Sequence, residues 1–236
     1  MIKIYSEQGG FYMENNIIIK TEKLVKQYGE GENMIYALNN VELEVREGEF
    51  LAITGESGSG KTTLLNCLGS LDRPTSGNII VNGKDITQMN DNALSAYRRK
   101  SIGFIFQSFN LIPVLNVEEN IVLPLNLDNT SPDMEYLEEL LRLTGLDKKR
   151  TNYPHELSGG QQQRVAFARA LIHKPQIILA DEPTGNLDSK NSREIISILK
   201  SSIKKYNQTL ILITHDGSIA SQADRICRIS DGVLSE

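Results

Sequence analysis

Two stretches of this 236-residue chain carry the residue types that bind phosphate groups. In GESGSGKTT, at 55–63, glycines let the backbone wrap around an anion, a lysine can neutralise its charge and a threonine can ligate Mg²⁺. In LSGGQ, at 157–161, a serine and two glycines leave bare backbone amides at a predicted helix start, with no lysine beside them. Each stretch predicts an anion site, and the second lacks the positive side chain of the first.

The first stretch fits the G-x-x-x-x-G-K-[ST] pattern and lies between a predicted strand, EFLAIT, and a predicted helix, KTTLLNCLGSL. In this setting Lys61 can neutralise the β- and γ-phosphates of a nucleotide, and Thr62 can ligate Mg²⁺. We therefore predict that ATP and Mg²⁺ are the cofactors. The predicted nucleotide contacts in this loop are Gly55, Glu56, Ser57, Gly58, Ser59, Gly60, Lys61, Thr62 and Thr63.

Two adjacent carboxylates, Asp181 and Glu182, end the apolar run IILADE. Burying two acids at a strand end is costly unless a cation or water compensates, and a Mg²⁺ ion beside the phosphate loop would do so. We therefore predict that Asp181 partners the metal, either directly or through another ligand, and that Glu182 is the general base that polarises the attacking water.

The composition limits the partners. A net charge of −5 and a pI near 5.4 argue against bulk nucleic-acid binding. The longest apolar runs, such as those at 177–180 and 210–213, are too short to span a bilayer, so we expect no direct membrane insertion. Cys67 and Cys227 lie in apolar surroundings without metal-ligand spacing, so we expect both to be buried and reduced.

Hydrophobic patterning predicts an interrupted α/β layout. Two continuous apolar runs, PQIILADEP and QTLILITHD, are typical of central parallel strands that are covered on both faces. A core formed by 14–91 and 158–236 is predicted to bracket a mostly helical insert at 92–157. We expect residues 1–13 to be an N-terminal extension that is either disordered or the result of a misplaced start, in which case Met13 is the natural start.

The order of these motifs resembles one family. LSGGQ followed by LADEPTGNLD, after the phosphate loop, resembles the nucleotide-binding subunit of ATP-binding cassette (ABC) transporters, over about residues 17–232. The resemblance implies an α/β fold with a P-loop NTPase (RecA-like) core, an antiparallel β subdomain and a helical insert. It also implies Mg²⁺-dependent ATP hydrolysis coupled to transport.

Carried over position by position, the resemblance implies further site residues. Tyr28 would stack on adenine, and Gln107 would sense Mg²⁺ and the attacking water. Ser158 and Gly160 would contact the γ-phosphate. Asp188 would bridge two subunits, and His215 would hold the γ-phosphate and orient the general base.

The resemblance also implies partners. LADEPTGNLD and the segment that begins GFIFQSFN are similar to the macrolide-export, lipoprotein-release, peptide-antibiotic-resistance and cell-division ATPases. We therefore expect an ATP-dependent homodimer on the cytoplasmic face of the cell membrane, bound peripherally to an integral-membrane permease. The permease is expected to dock in a groove near Gln107 lined by Phe109, Leu111 and Leu115.

Several functions remain open at this stage. Export, or resistance to antibiotics or antimicrobial peptides, is favoured over a non-transporting mechanical role of the cell-division type and over lipoprotein release. An ATPase of DNA repair is disfavoured because the helical region lacks sustained heptads. A translation factor is disfavoured because the chain has one phosphate loop and not two.

Overall fold

The computed structural model describes residues 16–236, so the expectation about residues 1–13 lies outside the described residues. The strands in this range are β1 (Ile17–Tyr28), β2 (Ile35–Arg46), β3 (Phe50–Thr54), β4 (Ser76–Val81), β5 (Lys84–Asp85), β6 (Ile102–Ile105), β7 (Ile177–Asp181), β8 (Thr209–Ile213), β9 (Arg225–Ser230) and β10 (Val233–Ser235). The α-helices are α1 (Lys61–Leu68), α2 (Asp91–Ser101), α3 (Val117–Leu127), α4 (Met134–Leu143), α5 (Gly159–Leu171), α6 (Ser189–Tyr206) and α7 (Gly217–Ala220).

The larger sheet has six strands in the order β10-β9-β3-β8-β7-β6. Strands β3, β8 and β7 are parallel neighbours and almost entirely buried, which confirms the expectation of central strands covered on both faces. The carboxyl ends of parallel strands lie at one edge of a sheet. The segments that follow β3, β7 and β8, which carry the phosphate loop, Glu182 and His215, therefore begin at the same edge.

The smaller sheet is antiparallel, in the order β2-β1-β4-β5. Alternate residues of β2, including Leu43 and Val45, are buried and pack in one hydrophobic cluster with β3 and α1. This sheet is the expected antiparallel subdomain. Its strand β1 ends at Tyr28, directly opposite Ile35 at the start of β2.

The predicted helical insert at 92–157 differs from the structure in one respect. Strand β6 lies within that range but pairs in parallel with β7 in the larger sheet. Its residues Ile102 and Ile105 are buried, and a Cβ at Gly103 would lie 2.4 Å from the Ala170 carbonyl oxygen, so the short strand packs tightly under α5. The mainly helical segment therefore begins after β6 and consists of α3, α4 and the turns that lead to α5.

Helix α3 begins with a reciprocal capping box. The Asn116 side chain accepts from the Glu119 amide, and the Glu119 carboxylate accepts from the Asn116 amide. Helix α4 buries Leu137, Leu140 and Leu141, as their i, i+3, i+4 spacing predicts. They lie in the hydrophobic cluster that α3, α4, α5 and α6 form against the larger sheet, here called the helical core. The fold class predicted from the sequence, an α/β P-loop NTPase core with an antiparallel subdomain and a helical insert, is thus confirmed.

Candidate functional site

The phosphate loop is shaped by glycines that no other residue could replace without strain. Gly55 has φ +150° and Gly60 has φ +108°. A Cβ on Gly55 would lie 2.2 Å from the Ile229 carbonyl oxygen, and one on Gly60 would lie 2.2 Å from the Ala37 carbonyl oxygen. Because these obstacles are backbone atoms, the loop lies directly against β9 and β2, and both positions require glycine.

Lys61 is the first residue of α1, and its ammonium group turns back into the loop. It donates to the carbonyl oxygens of Gly55 at 2.9 Å and Glu56 at 2.6 Å. Ser59 is buried, and its hydroxyl has no hydrogen-bond partner within the described residues. The loop therefore combines a positive charge, a helix N-terminus and an unpaired hydroxyl, a combination that suits an anionic ligand.

Asp181 and Thr62 lie side by side. The Thr62 hydroxyl is close enough to the Asp181 carboxyl group to lower its pKa. Burial raises the pKa of the Asp181 carboxyl group, and the charge of Glu182 raises it further, against the opposing effects of Thr62 and Lys61. A bound cation would offset both of the causes that raise this pKa.

The residues beside the phosphate loop fit Mg²⁺. Residues 16–236 contain no cluster of three or more His, Cys, Asp or Glu side chains that could hold a metal ion alone. The Thr62 hydroxyl and the Asp181 carboxylate are hard oxygen donors, the kind that Mg²⁺ prefers, and nucleotide oxygens would complete its ligands. The donor set therefore suits a metal that arrives with a nucleotide.

Glu182 and His215 form a direct pair. The Nδ1 atom of His215 lies 2.9 Å from Oε1 of Glu182, and the glutamate side chain is 16% exposed against 73% for the histidine. Glu182 has φ +46°, a conformation that costs a non-glycine residue about 1–3 kcal/mol. Its amide donates to the Ile213 carbonyl oxygen at 3.1 Å, which anchors this backbone to the end of β8.

The second anion site begins α5. The Ser158 hydroxyl accepts from the Gln161 amide at 3.4 Å, and the Gln161 side chain accepts from the Ser158 amide at 2.9 Å. The amides of Gly159 and Gly160, the first two residues of the helix, have no acceptor within an α-helix. Within the described residues, no hydrogen bond or ion pair joins 157–161 to 55–63.

Helix α5 also holds the segment around Gln107. The Gln163 side chain donates to the Phe106 carbonyl oxygen at 3.4 Å. The Arg169 guanidinium donates to the carbonyl oxygens of Phe109 at 2.9 Å and Asn110 at 2.7 Å. This segment is therefore tied to the helix that begins with the second anion site.

Asn191 joins the same helix to Asp188. It donates from Nδ2 to the Asp188 carboxylate at 2.7 Å, and its Oδ1 accepts from Arg164 of α5 at 3.3 Å. A Cβ on Gly160 would lie 2.8 Å from this Oδ1 atom. The sequence motifs did not indicate Asn191, which links the α5 start to the predicted subunit-bridging residue.

Gln107 lies next to the turn after Glu182. A Cβ on Gly185 would lie 2.9 Å from Nε2 of Gln107, and the Asn186 side chain donates to the Gln107 carbonyl oxygen at 3.0 Å. The Gln107 segment is thus adjacent to the turn that follows the predicted general base. Tyr28, predicted to stack on adenine, is 45% exposed and donates from its hydroxyl to Asp72.

The apolar surface near Gln107 differs in part from the predicted groove. Phe109, Leu111 and Leu115 are half-buried, and Leu111 packs against the helical core. The most exposed apolar side chains of the segment are Ile112 at 39% and Val114 at 77%. Leu111 therefore supports this loop, while Ile112 and Val114, which the sequence motifs did not indicate, are its most exposed apolar side chains.

Two other expectations concern burial and membrane insertion. Cys67 and Cys227 are both buried and free, as expected. Among the described residues, no helix is long and apolar enough to cross a membrane.

Comparison with known proteins agrees with the motifs. Residues 38–185 match the ABC transporter family. The macrolide export ATP-binding/permease protein MacB of Mannheimia succiniciproducens is 45% identical over 92% of this chain, which spans 34% of that protein. The lipoprotein-releasing system ATP-binding protein LolD of Cytophaga hutchinsonii is 43% identical over 92% of this chain and 98% of its own length.

A solved structure is similar over nearly the same length. The ATP-binding cassette MJ0796 of Methanocaldococcus jannaschii, solved as a dimer in a post-hydrolysis state bound to ADP and Pi, has a TM-score of 0.85. Its sequence is 42% identical, and the alignment covers 92% of this chain and 97% of that one. The phosphate loop, the paired Glu182 and His215 and these similarities lead to one assignment: the chain belongs to the ABC transporter family, as an ATP-binding subunit with ATPase activity.

Proposed function

We propose that the chain hydrolyses ATP as one half of an ATP-dependent homodimer that drives an integral-membrane permease. The observation that carries this proposal is the division of the phosphate-binding groups between two anion sites that no hydrogen bond joins within the described residues. One site has Lys61 and the residues that fit a metal, and the other has bare amides and Ser158 but no lysine. Each is half of a pocket that two copies of the chain complete.

Different residues bind the phosphates, the adenine and the metal ion. The backbone of 55–63 and Lys61 bind the phosphates of ATP, while Tyr28 stacks on the adenine. Thr62 and Asp181 would hold Mg²⁺ together with the side chain of Gln107. When bound, the ion neutralises charge on the phosphates.

Glu182 accepts a proton from the attacking water, and His215 orients its carboxylate. The second copy contributes Ser158 and the amides of Gly159 and Gly160 to the γ-phosphate. Asp188, held by Asn191, reaches across between the two copies. Closure of the dimer thereby completes the site.

Coupling to the permease runs through the segment that follows Gln107. Ile112 and Val114 form an exposed apolar surface for the permease. Hydrogen bonds from Arg169 and Gln163 connect the segment to α5. A movement of α5 on dimer closure is therefore passed to the docked permease at the cytoplasmic face of the membrane.

The cargo we propose is an exported compound, an antibiotic or antimicrobial peptide, in keeping with the similarity to MacB. Lipoprotein release is the second candidate, which the similarity to LolD supports over nearly its whole length. Co-purification of the membrane partner distinguishes the two.

The Ser158→Arg variant tests the shared pocket. Ser158 caps only its own helix, so the variant should bind Mg-ATP with unchanged affinity but fail to dimerise and to hydrolyse it. Ser201→Arg, at an exposed serine of α6, is the matched control and should behave as the unaltered chain. Loss of ATP binding by Ser158→Arg, or normal turnover, would contradict the proposal.

A further inference from the structure

Three charged or polar side chains meet beside the predicted adenine platform. The Tyr28 hydroxyl donates to one carboxylate oxygen of Asp72 at 2.6 Å. The Lys26 ammonium donates to the other oxygen at 2.6 Å and to the Arg73 carbonyl oxygen at 2.8 Å. The same ammonium lies 4.8 Å from the centre of the Tyr28 ring. The tyrosine is therefore held at its hydroxyl and over one face.

The anchor is fixed to the helix that carries the phosphate loop. The amides of Leu71 and Asp72 both donate to the Asn66 carbonyl oxygen, at 2.8 and 3.2 Å, just after the end of α1. The Thr63 side chain, in the first turn of the same helix, also interacts with Tyr28. One helix thus begins at the lysine that binds phosphate and leads into the carboxylate that holds the tyrosine.

The protonation states of Tyr28 and Asp72 favour a stable hydrogen bond between them. Burial raises the pKa of Tyr28 to about 12, and the bond to Asp72 contributes to this rise, so the phenol remains a donor near neutral pH. Burial opposes ionisation of Asp72, but the hydrogen bonds from Lys26 and Tyr28 outweigh it and lower the pKa of this carboxyl group. The carboxylate is therefore ionised and accepts both bonds, which are of the strong, charge-assisted kind.

We propose that Asp72 and Lys26 are positioning residues that hold the Tyr28 ring ready for the adenine of ATP, at a fixed distance from the phosphate loop. This inference rests on the adenine role proposed above for Tyr28. A ring that is free to rotate must be ordered when the base binds, and ordering one side chain weakens binding by up to about tenfold. The held ring has been ordered in advance.

A purely structural role predicts a different result. If Asp72 only joined β1 to α1, its loss would disturb the phosphate loop and weaken every phosphate ligand alike. A positioning role affects only ligands that carry a base. Tripolyphosphate, which has the phosphate chain of ATP without the nucleoside, separates the two roles.

The experiment measures the dissociation constants of Mg-ATP and Mg-tripolyphosphate by calorimetry. Asp72→Ala should weaken ATP binding about 3- to 10-fold and leave tripolyphosphate binding unchanged. Tyr28→Phe, which removes only the hydroxyl, should give the same pattern. Asp91→Ala is the control, since Asp91, like Asp72, pairs with a cationic side chain, here that of Arg73, but is 93% exposed.

A double variant completes the test. Tyr28→Ala should weaken ATP binding, and adding Asp72→Ala to it should cause no further loss, because the ring that Asp72 holds is gone. Equal weakening of tripolyphosphate, or unchanged ATP binding in both Asp72→Ala and Tyr28→Phe, would overturn the positioning role alone. Unchanged ATP binding in Tyr28→Ala would instead overturn the adenine role of Tyr28 itself.

Discussion

Replacing Glu182 by glutamine removes a carboxylate with almost no change in side-chain shape. The side chain is 16% exposed, and its Oε1 atom lies 2.9 Å from Nδ1 of His215. The amide oxygen of glutamine can keep this contact, so the fold and the histidine position should persist. What the variant loses is a group that can accept a proton from water.

The size of the effect follows from that loss. A general base contributes about 10²- to 10⁴-fold to a rate, which at about 1.36 kcal/mol per tenfold is about 2.7–5.4 kcal/mol of barrier. We therefore expect the turnover of Glu182→Gln at saturating Mg-ATP to fall by that factor. Its affinity for ATP should remain unchanged, because none of the hydrogen bonds of Glu182 in residues 16–236 goes to the phosphate loop. ATP should then accumulate in a closed dimer.

The assay combines steady-state phosphate release, ATP binding and gel filtration with ATP. Glu42→Gln, at an exposed glutamate of β2, is the control for the loss of one negative charge. Turnover of Glu182→Gln within about threefold of the unaltered chain would refute the role of general base, since it leaves less than about 1 kcal/mol for the carboxylate.

Three further predictions concern the docking loop, its support and a buried histidine. Val114→Glu should reduce permease-stimulated ATP hydrolysis and leave the basal rate intact, whereas Val233→Glu on β10 should change neither. Asn120→Ala should lower the melting temperature by about 4–16 °C, since the buried amide makes four hydrogen bonds with the 112–116 backbone that are together worth about 2–4 kcal/mol. On lowering the pH from about 7.5 to about 5.5, the melting temperature of His173→Gln should fall less than that of the unaltered chain, because burial lowers the pKa of His173 below its ordinary value.

The direction of the pH effect follows from proton binding. Between the lowered pKa of His173 and 6.5, the unfolded chain binds a proton that the folded chain does not, so stability decreases as the pH falls. An equal pH loss in His173→Gln would contradict this. For the other two, an unchanged melting temperature in Asn120→Ala, or full permease stimulation in Val114→Glu, would be the contradicting result.

The parts of the site that the sequence predicted are local in the chain. The glycines of the phosphate loop lie within a few residues of one another, and the strands β7 and β8 are recognisable in the sequence as continuous apolar runs. The position of β6 in the larger sheet could not be predicted from a local sequence pattern. Its pairing with β7 joins residues that are 75 positions apart, as in Ile102 and Ile177, and nothing in four apolar residues specifies that partner.

The supporting contacts were missed for the same reason. Asp72 meets Tyr28 across 44 positions, and Asn191 meets Arg164 across 27, through the packing of separate elements. Asp, Asn and Arg are common surface residues whose types alone indicate no function. The start of α3 could have been predicted from the sequence, because Asn116 and Glu119 have the spacing of a capping box.

The central claim is that each ATP is hydrolysed between two copies of the chain. It is tested most directly by measuring turnover per chain at saturating Mg-ATP over a dilution series, with sedimentation velocity reporting the dimer fraction of the unaltered chain under the same conditions. The account predicts that turnover per chain falls on dilution in step with the dimer. Constant turnover at concentrations where the chain is monomeric would contradict it.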